Sequence, residues 1–234
     1  MHYLPFVFDS HELAQSNPSY EQRAGFISIG NFRHPPNWDS VLWLNQQVWP
    51  LIRKQLPKAE LFIYGAYPPP KATALHDQQN GFLVKGWVDD AASAMQNARV
   101  CLAPLRFGAG IKGKLAQAML CATPSVTTAV GAEGMQTQLG WSGAIAEDAQ
   151  ALADAAVTLY QDHQLWQRAS ELGQQNAQLL FEKRSHFLKF SARLTTLLGD
   201  LTTHRQNNFI GSMLNHHHHK STKYMSQWIE AKNK

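Results

Sequence analysis

Val100–Met135 reads VCLAPLRFGAGIKGKLAQAMLCATPSVTTAVGAEGM. An apolar run of strand length, VCLA, gives way to a glycine-rich loop carrying Lys112 and Lys114. Apolar residues then recur at helical spacing from Lys112 to Cys121, and a second short run, PSVTT at 124–128, leads into another glycine-containing loop. Strand, glycine loop, helix and strand in this order describe a turn at the carboxyl edge of an α/β sheet. Gly108, Gly110 and Gly113 let the backbone approach an anion closely. The first turn of the following helix supplies unpaired N–H groups and the positive end of a dipole. The loop lacks the Gly-Lys-Ser/Thr ending of a P-loop and the spacing of a GxGxxG dinucleotide motif. A phosphate-bearing ligand of another kind fits this loop, and so does a strand-to-helix turn that binds nothing.

The same alternation extends in both directions. GFISIG at 25–30, LFIY at 61–64, GFLVKG around 82–85 and a short strand near GAIA (143–146) are strand-length apolar runs, most of them ending at glycine. Between them, Val41, Leu44, Val48, Leu51 and Ile52 recur at helical spacing, with Pro50 predicting a kink or break near Trp49. Pro35 and Pro36 read as loop, Asn37 as the cap of the next helix and Asp39 as an acidic residue in its first turn. Another helix begins near Asp148. Residues 162–199 are helical by pattern, with Leu165, Trp166, Leu172, Leu179, Leu180, Leu188, Leu194 and Leu198 expected in the core. Strands alternating with helices at this pitch predict a mostly parallel sheet with helices on both faces. Ligands of such sheets sit beyond the carboxyl ends of the strands, where the glycine loops fall. Three segments are expected: 1–24 as a linker or incoming segment, 25–199 as the folded domain, and 200–234 as a tail, partly disordered or with a short helix near Met225–Ala231.

Composition bounds the function. The chain has 234 residues, 44% of them hydrophobic, and a formal net charge of +4. No apolar run has the length that crosses a bilayer. The N-terminal MHYLPFVFDSHELAQ has no basic region before an apolar core, so it does not read as a signal peptide. The two cysteines, Cys101 and Cys121, fall in core elements and read as small hydrophobes rather than a disulfide. Basic residues form no stripe interleaved with aromatics, which argues against a nucleic-acid partner. His216–His219 could hold a metal loosely, but no second ligand cluster accompanies it, so no metal and no cofactor are assigned.

Six blocks in order resemble one family: Gly30-Asn31-Phe32-x-His34-x-Pro36-Asn37, Trp49-Pro50, Leu61-x-Ile63-x-Gly65, Gly86-Trp87-Val88-Asp89-Asp90, Ala103 to Lys114, and Thr128-x-x-Gly131-Ala132-Glu133-Gly134-Met135. Over about Phe26 to Leu198 the chain resembles the C-terminal, donor-binding half of GT-B-fold glycosyltransferases of the large retaining group 1, or family 4. The resemblance implies a Rossmann-like half of that fold, with a helical C-terminal extension. It implies transfer of a sugar from a nucleotide-diphosphate sugar to a glycan, lipid or other acceptor, with retention, as in cell-envelope polysaccharide synthesis. An acceptor-binding N-terminal domain or partner chain is expected, because about 24 residues before the first strand cannot form one. The implied location is the cytoplasm, with the periphery of the inner membrane open as well.

Residue by residue, the resemblance places the donor diphosphate on Gly108, Gly110, Lys112, Gly113 and Lys114. It places the base and ribose near Val88, Asp90 and Gln117, and the sugar and rim near Asn31, Arg33, His34 and Glu133. Each has a plainer reading beside it. Asp90 caps a helix in any case, the lysines can be solvated, Glu133 can cap a turn, and His34 beside prolines can be structural. Arg106 either adds charge or pairs with Asp89 or Asp90. Two departures stand out. The family's paired glutamates correspond to Ala109 and Gln117 here, and its arginine in the first glycine loop to Asn31. A glutamine keeps one carbonyl acceptor but loses the charged bidentate geometry toward ribose hydroxyls. No catalytic residue is assigned. The alternative is a non-catalytic nucleotide-sugar-binding or interaction module of the same fold.

Overall fold

The computed structural model describes residues 3–14 and 16–233, without the side chains of 215–221. His216–His219 therefore lie outside the described side chains. The chain forms two compact units, Pro5–Lys183, and Met1–Leu4 with Arg184–Lys234.

In the first unit six strands form one sheet: β1 (Phe26–Ile29), β2 (Leu61–Tyr64), β3 (Phe82–Gly86), β4 (Val100–Ala103), β5 (Ser125–Thr127) and β6 (Gly143–Ile145). All pairings are parallel and the spatial order is β3-β2-β1-β4-β5-β6. The helices are α1 (Ser10–Leu13), α2 (Pro35–Trp43), α3 (Trp49–Gln55), α4 (Pro70–Thr73), α5 (Ala91–Asn97), α6 (Gly113–Leu120), α7 (Ala129–Ala132), α8 (Ala149–Gln161) and α9 (His163–Phe181). After them come α10 (Lys183–Gly199), α11 (Leu201–Asn207) and α12 (Phe209–Lys232). This is the expected α/β, Rossmann-like sheet.

Alternation along each strand loads both faces. Phe26, Val100 and Leu102 point toward a layer that includes Leu44, Val48, Ile52, Leu152 and Ala156 from the helical segments around α2, α3 and α8. Ile27 and Cys101 point the other way, onto Met95 of α5 and Ala118 of α6. Full burial of a side chain such as Phe26 or Ile27 is worth about 1.5–3 kcal/mol, so each strand is pinned from both sides. Cys101 and Cys121 are free and buried.

Several local readings change. Pro35 and Pro36 do not exclude helix; they begin it, at the first two positions of α2, where a missing N–H costs nothing. Asn37 is consequently inside the first turn, not a cap. Pro50 does mark a break: a π-helical turn at Leu44–Val48 separates α2 from α3, and Pro50 sits at the start of α3.

The buried stripe of α9 is Trp166, Ala169, Ser170, Gly173, Ala177 and Phe181. Leu165 and Leu179, expected in the core, are exposed, as are Leu188, Leu194 and Leu198 of α10. Small residues decide this face. A Cβ on Gly173 would lie 3.6 Å from the Met119 Cα, so α9 and α6 approach too closely for leucines between them.

From Pro5 onward the chain belongs to the same compact unit as the sheet. Arg23 is 1% exposed. Its guanidinium donates to the carbonyls of Pro18 (2.9 Å) and Cys121 (2.9 Å) and to Thr123 Oγ1 (2.7 Å), and lies over the Trp166 ring. Burial brings its pKa down to about 10, which still leaves it charged at neutral pH. Phe8 packs edge-on against Phe181. No periodicity announces such single-residue anchors. Beyond Asp200, the expected short helix near 225–231 is the end of the much longer α12.

Candidate functional site

The order of the sheet reverses between β1 and β4, each of which turns its next neighbour to the opposite side. A crevice therefore opens at their carboxyl ends. A cavity of about 410 Å³ occupies it. Its walls are Ile29 and Gly30 at the end of β1, His34, Pro36 and Asn37 at the start of α2, Ala91 and Met95 on α5, and the stretch from Leu105 to Gln117 that leads from β4 into α6.

Tight backbone contacts build the β1 wall. A Cβ on Gly65 would fall 2.0 Å from the Gly30 carbonyl oxygen, and one on Gly30 would fall 2.8 Å from Lys114 Nζ. Gly65, against backbone, has no room for a side chain; at Gly30 the neighbours are the side-chain ends of Asn37 and Lys114, which a methyl would displace. On the other side, Thr127 Oγ1 donates to the Ala103 carbonyl (2.7 Å) and the Thr128 hydroxyl donates to the Leu105 carbonyl. These bonds fix the exit of β4 beside that of β5 and hold the glycine loop at the cavity mouth.

Lys114 is the central cation. It is partly buried, and its ammonium donates to Asn37 Oδ1 at 2.8 Å. Asn37 Nδ2 in turn donates to the Asn31 carbonyl at 3.0 Å. Asn37, expected as a cap, is thus a bridge between the β1 loop and α6. Desolvation pulls the Lys114 pKa down to about 8. Desolvation pushes the thiol of nearby Cys101 up to about 12, so it adds no negative charge at neutral pH.

Lys112 behaves differently. Its side chain folds back so that Nζ donates to the Gly110 carbonyl at 2.6 Å and lies 4.0 Å from the Glu133 carboxylate. It still lines the cavity, together with Gly108 and Gly113. The N–H groups of the first turn of α6 have no acceptor within the helix. Among the described residues lining the cavity are these two lysines and no carboxylate. The wall is therefore suited to a compact anion.

The structure brings His34, Gly108, Lys112, Gly113, Lys114 and Gln117 together around this space. It leaves Gly110, Asn31, Arg33, Val88, Asp90 and Glu133 outside the wall. Gly110 forms the loop's outer bend, at φ 73°, and a Cβ added there would meet nothing within 4 Å. The Arg33 guanidinium stacks on Tyr67, 3.9 Å from the ring centre. Asn31 Oδ1 accepts from the Arg33 N–H at 2.8 Å. Asp90 caps α5 by accepting from the Ser93 N–H at 3.0 Å, and Asp89 accepts from the Trp87 indole at 2.8 Å. Arg106 does not pair with either aspartate: its Nε donates to Asp39 Oδ2 at 2.9 Å, while the guanidinium covers Trp43. The Gln117 amide donates to Cys121 Sγ at 3.3 Å, one helical turn on.

The sequence reading passed over the apolar part of the wall: Ile29, Met95, Leu105 and Ile111. These residues read as ordinary core, and only the reversal in strand order reveals that they face a space.

Residues 23–162 match the family described as glycosyl transferases group 1, and the chain belongs to that family. A curated relative, an uncharacterized 44.6 kDa protein in the cps region of Klebsiella pneumoniae, is 27% identical over 151 residues, covering 62% of this chain and 37% of its own length. Among solved structures, TarM of S. aureus, in a complex that includes UDP, superposes with a TM-score of 0.64 at 17% identity, over 80% of this chain and 38% of its own. The pneumococcal O-GlcNAc transferase GtfA, in complex with UDP and GlcNAc, gives 0.61 at 18%, over 79% and 38%. HepE of Anabaena, in complex with UDP and glucose, gives 0.63 at 16%, over 82% and 55%. The chain thus covers part of the GT-B fold, less than two thirds of the length of each of these proteins. No helix of the described residues is long and apolar enough to cross a membrane.

Proposed function

We propose that this chain is the donor-binding half of a glycosyltransferase, which moves a sugar from a nucleotide-diphosphate sugar to an acceptor with retention of configuration. The observation that carries the reading is the cavity at the β1–β4 reversal, with the Lys114 ammonium inside it and the first turn of α6 at its wall. In this reading the diphosphate lies against Gly108, Gly113, Lys112 and Lys114. As the bond from the anomeric carbon to the diphosphate oxygen breaks, negative charge gathers on the leaving group. Fixed N–H groups and a desolvated ammonium stabilise that charge more than they stabilise the ground state. The acceptor would be held by an N-terminal domain or a partner chain. Uridine diphosphate is the first nucleotide to test, because TarM, GtfA and HepE were each captured with UDP.

The direct experiment follows the melting temperature during titration with uridine and guanosine diphosphate. Micromolar binding that is lost in Lys112→Ala/Lys114→Ala supports the reading; no shift at millimolar nucleotide refutes it.

One observation favours a second reading, a non-catalytic nucleotide-sugar-binding module. Ala109 and Gln117 stand where the family resemblance places glutamates, and both line the cavity. Slow release of nucleotide diphosphate from a nucleotide sugar, abolished in Lys114→Ala, would favour the enzyme. Binding with no release would favour the module.

A further inference from the structure

The cavity has two unlike ends, and they suit different parts of a ligand. The polar end is the glycine loop with Lys112 and Lys114. Gln117 stands three residues beyond Lys114 on α6, about 4.5 Å further along the helix axis and on the same face. With Ile29 of β1 and with Ala91 and Met95 of α5, it makes the other end. A diphosphate seated on Lys114 and the first turn of α6 thus sets one of its two substituents against Gln117. A sugar would find one amide there for all its hydroxyls. A nucleoside, with an apolar-faced base and few hydroxyls, matches that wall.

Among the described residues lining that end, Gln117 is the one polar side chain. Its nitrogen donates to Cys121 Sγ at 3.3 Å, and Cys121 Sγ donates to the Ala92 carbonyl at 3.7 Å. This chain of contacts fixes the amide and leaves its carbonyl oxygen for a ligand. The Asp90 carboxylate, just before α5, accepts from the Ser93 N–H at 3.0 Å and does not line the cavity. One neutral acceptor therefore meets the nucleoside's sugar. It can take the 3′-hydroxyl, which ribose and deoxyribose share. A site rejects a ligand that lacks a hydroxyl when a buried protein group is left unpaired, most severely a charged one. Here the missing 2′-hydroxyl strands no such group.

We propose that this site does not read the 2′-hydroxyl, so that it takes deoxyribonucleoside diphosphate sugars as well as ribonucleoside ones, and that Gln117 is the residue that sets this breadth. The inference rests on the donor-site reading given above and adds the substrate class to it. A carboxylate at position 117 would offer two charged acceptors, enough for both hydroxyls of a ribose, and would make a deoxyribose the poorer ligand.

The test is calorimetric titration of the full chain with uridine diphosphate and with 2′-deoxyuridine diphosphate. The two dissociation constants should agree within about threefold, whereas a hydroxyl read by a charged partner separates such a pair by about tenfold to a hundredfold. Gln117→Glu should open a preference for the ribonucleotide of about tenfold or more, whatever its added charge does to the affinity of both. Gln117→Ala should weaken both to the same degree. The melting temperature verifies that each variant is folded, and the comparison in the parent needs no variant. A larger preference for the ribonucleotide in the parent overturns the inference. So does a Gln117→Glu ratio equal to that of the parent, or a loss in Gln117→Ala confined to the ribonucleotide. Each of these leaves the donor-site reading standing. Binding of neither nucleotide at millimolar concentration refutes that reading, and the inference with it.

Discussion

The two walls of the cavity are built on opposite principles. On the β1 side Gly30 and Gly65 are in backbone contact, and Asn37 bridges the Asn31 carbonyl to the Lys114 ammonium. On the β4 side Gly108, in the wall, and Gly110, at the outer bend of the same loop, adopt φ of 135° and 73°, with open space around Gly110. The first wall fixes a cation in place before any ligand arrives. The second is a loop stabilised by one lysine folded onto its own backbone. Preorganised charge on a rigid wall and an adaptable loop facing it form a division of labour that suits an anion of variable substituent.

The largest expected effect is on the rigid wall. Gly65→Ala drives a methyl into the Gly30 carbonyl, so we expect a loss of about 3 kcal/mol, read as a fall in the denaturant midpoint at unchanged slope. A variant as stable as the parent would show that the walls do not differ in tightness.

Next comes Lys114→Met. Removing a desolvated ammonium should stabilise the fold by about 1 kcal/mol, raising the melting temperature by about 2–4 °C, while nucleotide diphosphate binding falls at least a hundredfold. Stability gained with binding lost marks a residue kept for a ligand.

The same lysine predicts a pH dependence. Its folded-state pKa of about 8 lies below its usual 10.5. Between those values the unfolded chain binds more protons, so stability contributed by this group rises with pH across that window and is flat below it. The rise should be missing in Lys114→Met. Anion binding runs the other way and weakens as the ammonium is lost above about pH 8. A parent and a Lys114→Met variant with the same pH profile of stability would remove the case for a desolvated cation.

The smallest effect belongs to the adaptable wall. Gly110→Ala meets no neighbour and carries only the cost of a left-handed backbone, about 1 kcal/mol. Nucleotide binding should change by less than tenfold. A collapse in affinity would mean that this loop is as preorganised as the wall opposite.

Much of this was legible in the chain. The strand-and-glycine rhythm gave the parallel sheet, and Val100–Met135 announced where the anion-suited loop would be. Asp90 caps its helix as expected, and the helix expected near Asp148 begins there, with Asp148 as its cap. What escaped the reading depends on partners distant in sequence. Asn37 has the composition of a cap but bridges to Lys114, 77 residues away. Arg106 pairs with Asp39 rather than with the nearer-seeming Asp89 or Asp90. The leucines of 165–198 looked like core because they are hydrophobic, yet close helix packing selected Ala169, Gly173 and Ala177 instead. Lys112 and Lys114 looked equivalent in sequence and differ entirely in partners.

A crystal structure with uridine diphosphate tests the central claim most directly. The account predicts the diphosphate in the crevice between the ends of β1 and β4, within hydrogen-bond distance of Lys114 Nζ and the Gly113 N–H. Nucleotide bound elsewhere, with Lys114 still closed on Asn37 and the crevice empty of phosphate, would contradict it.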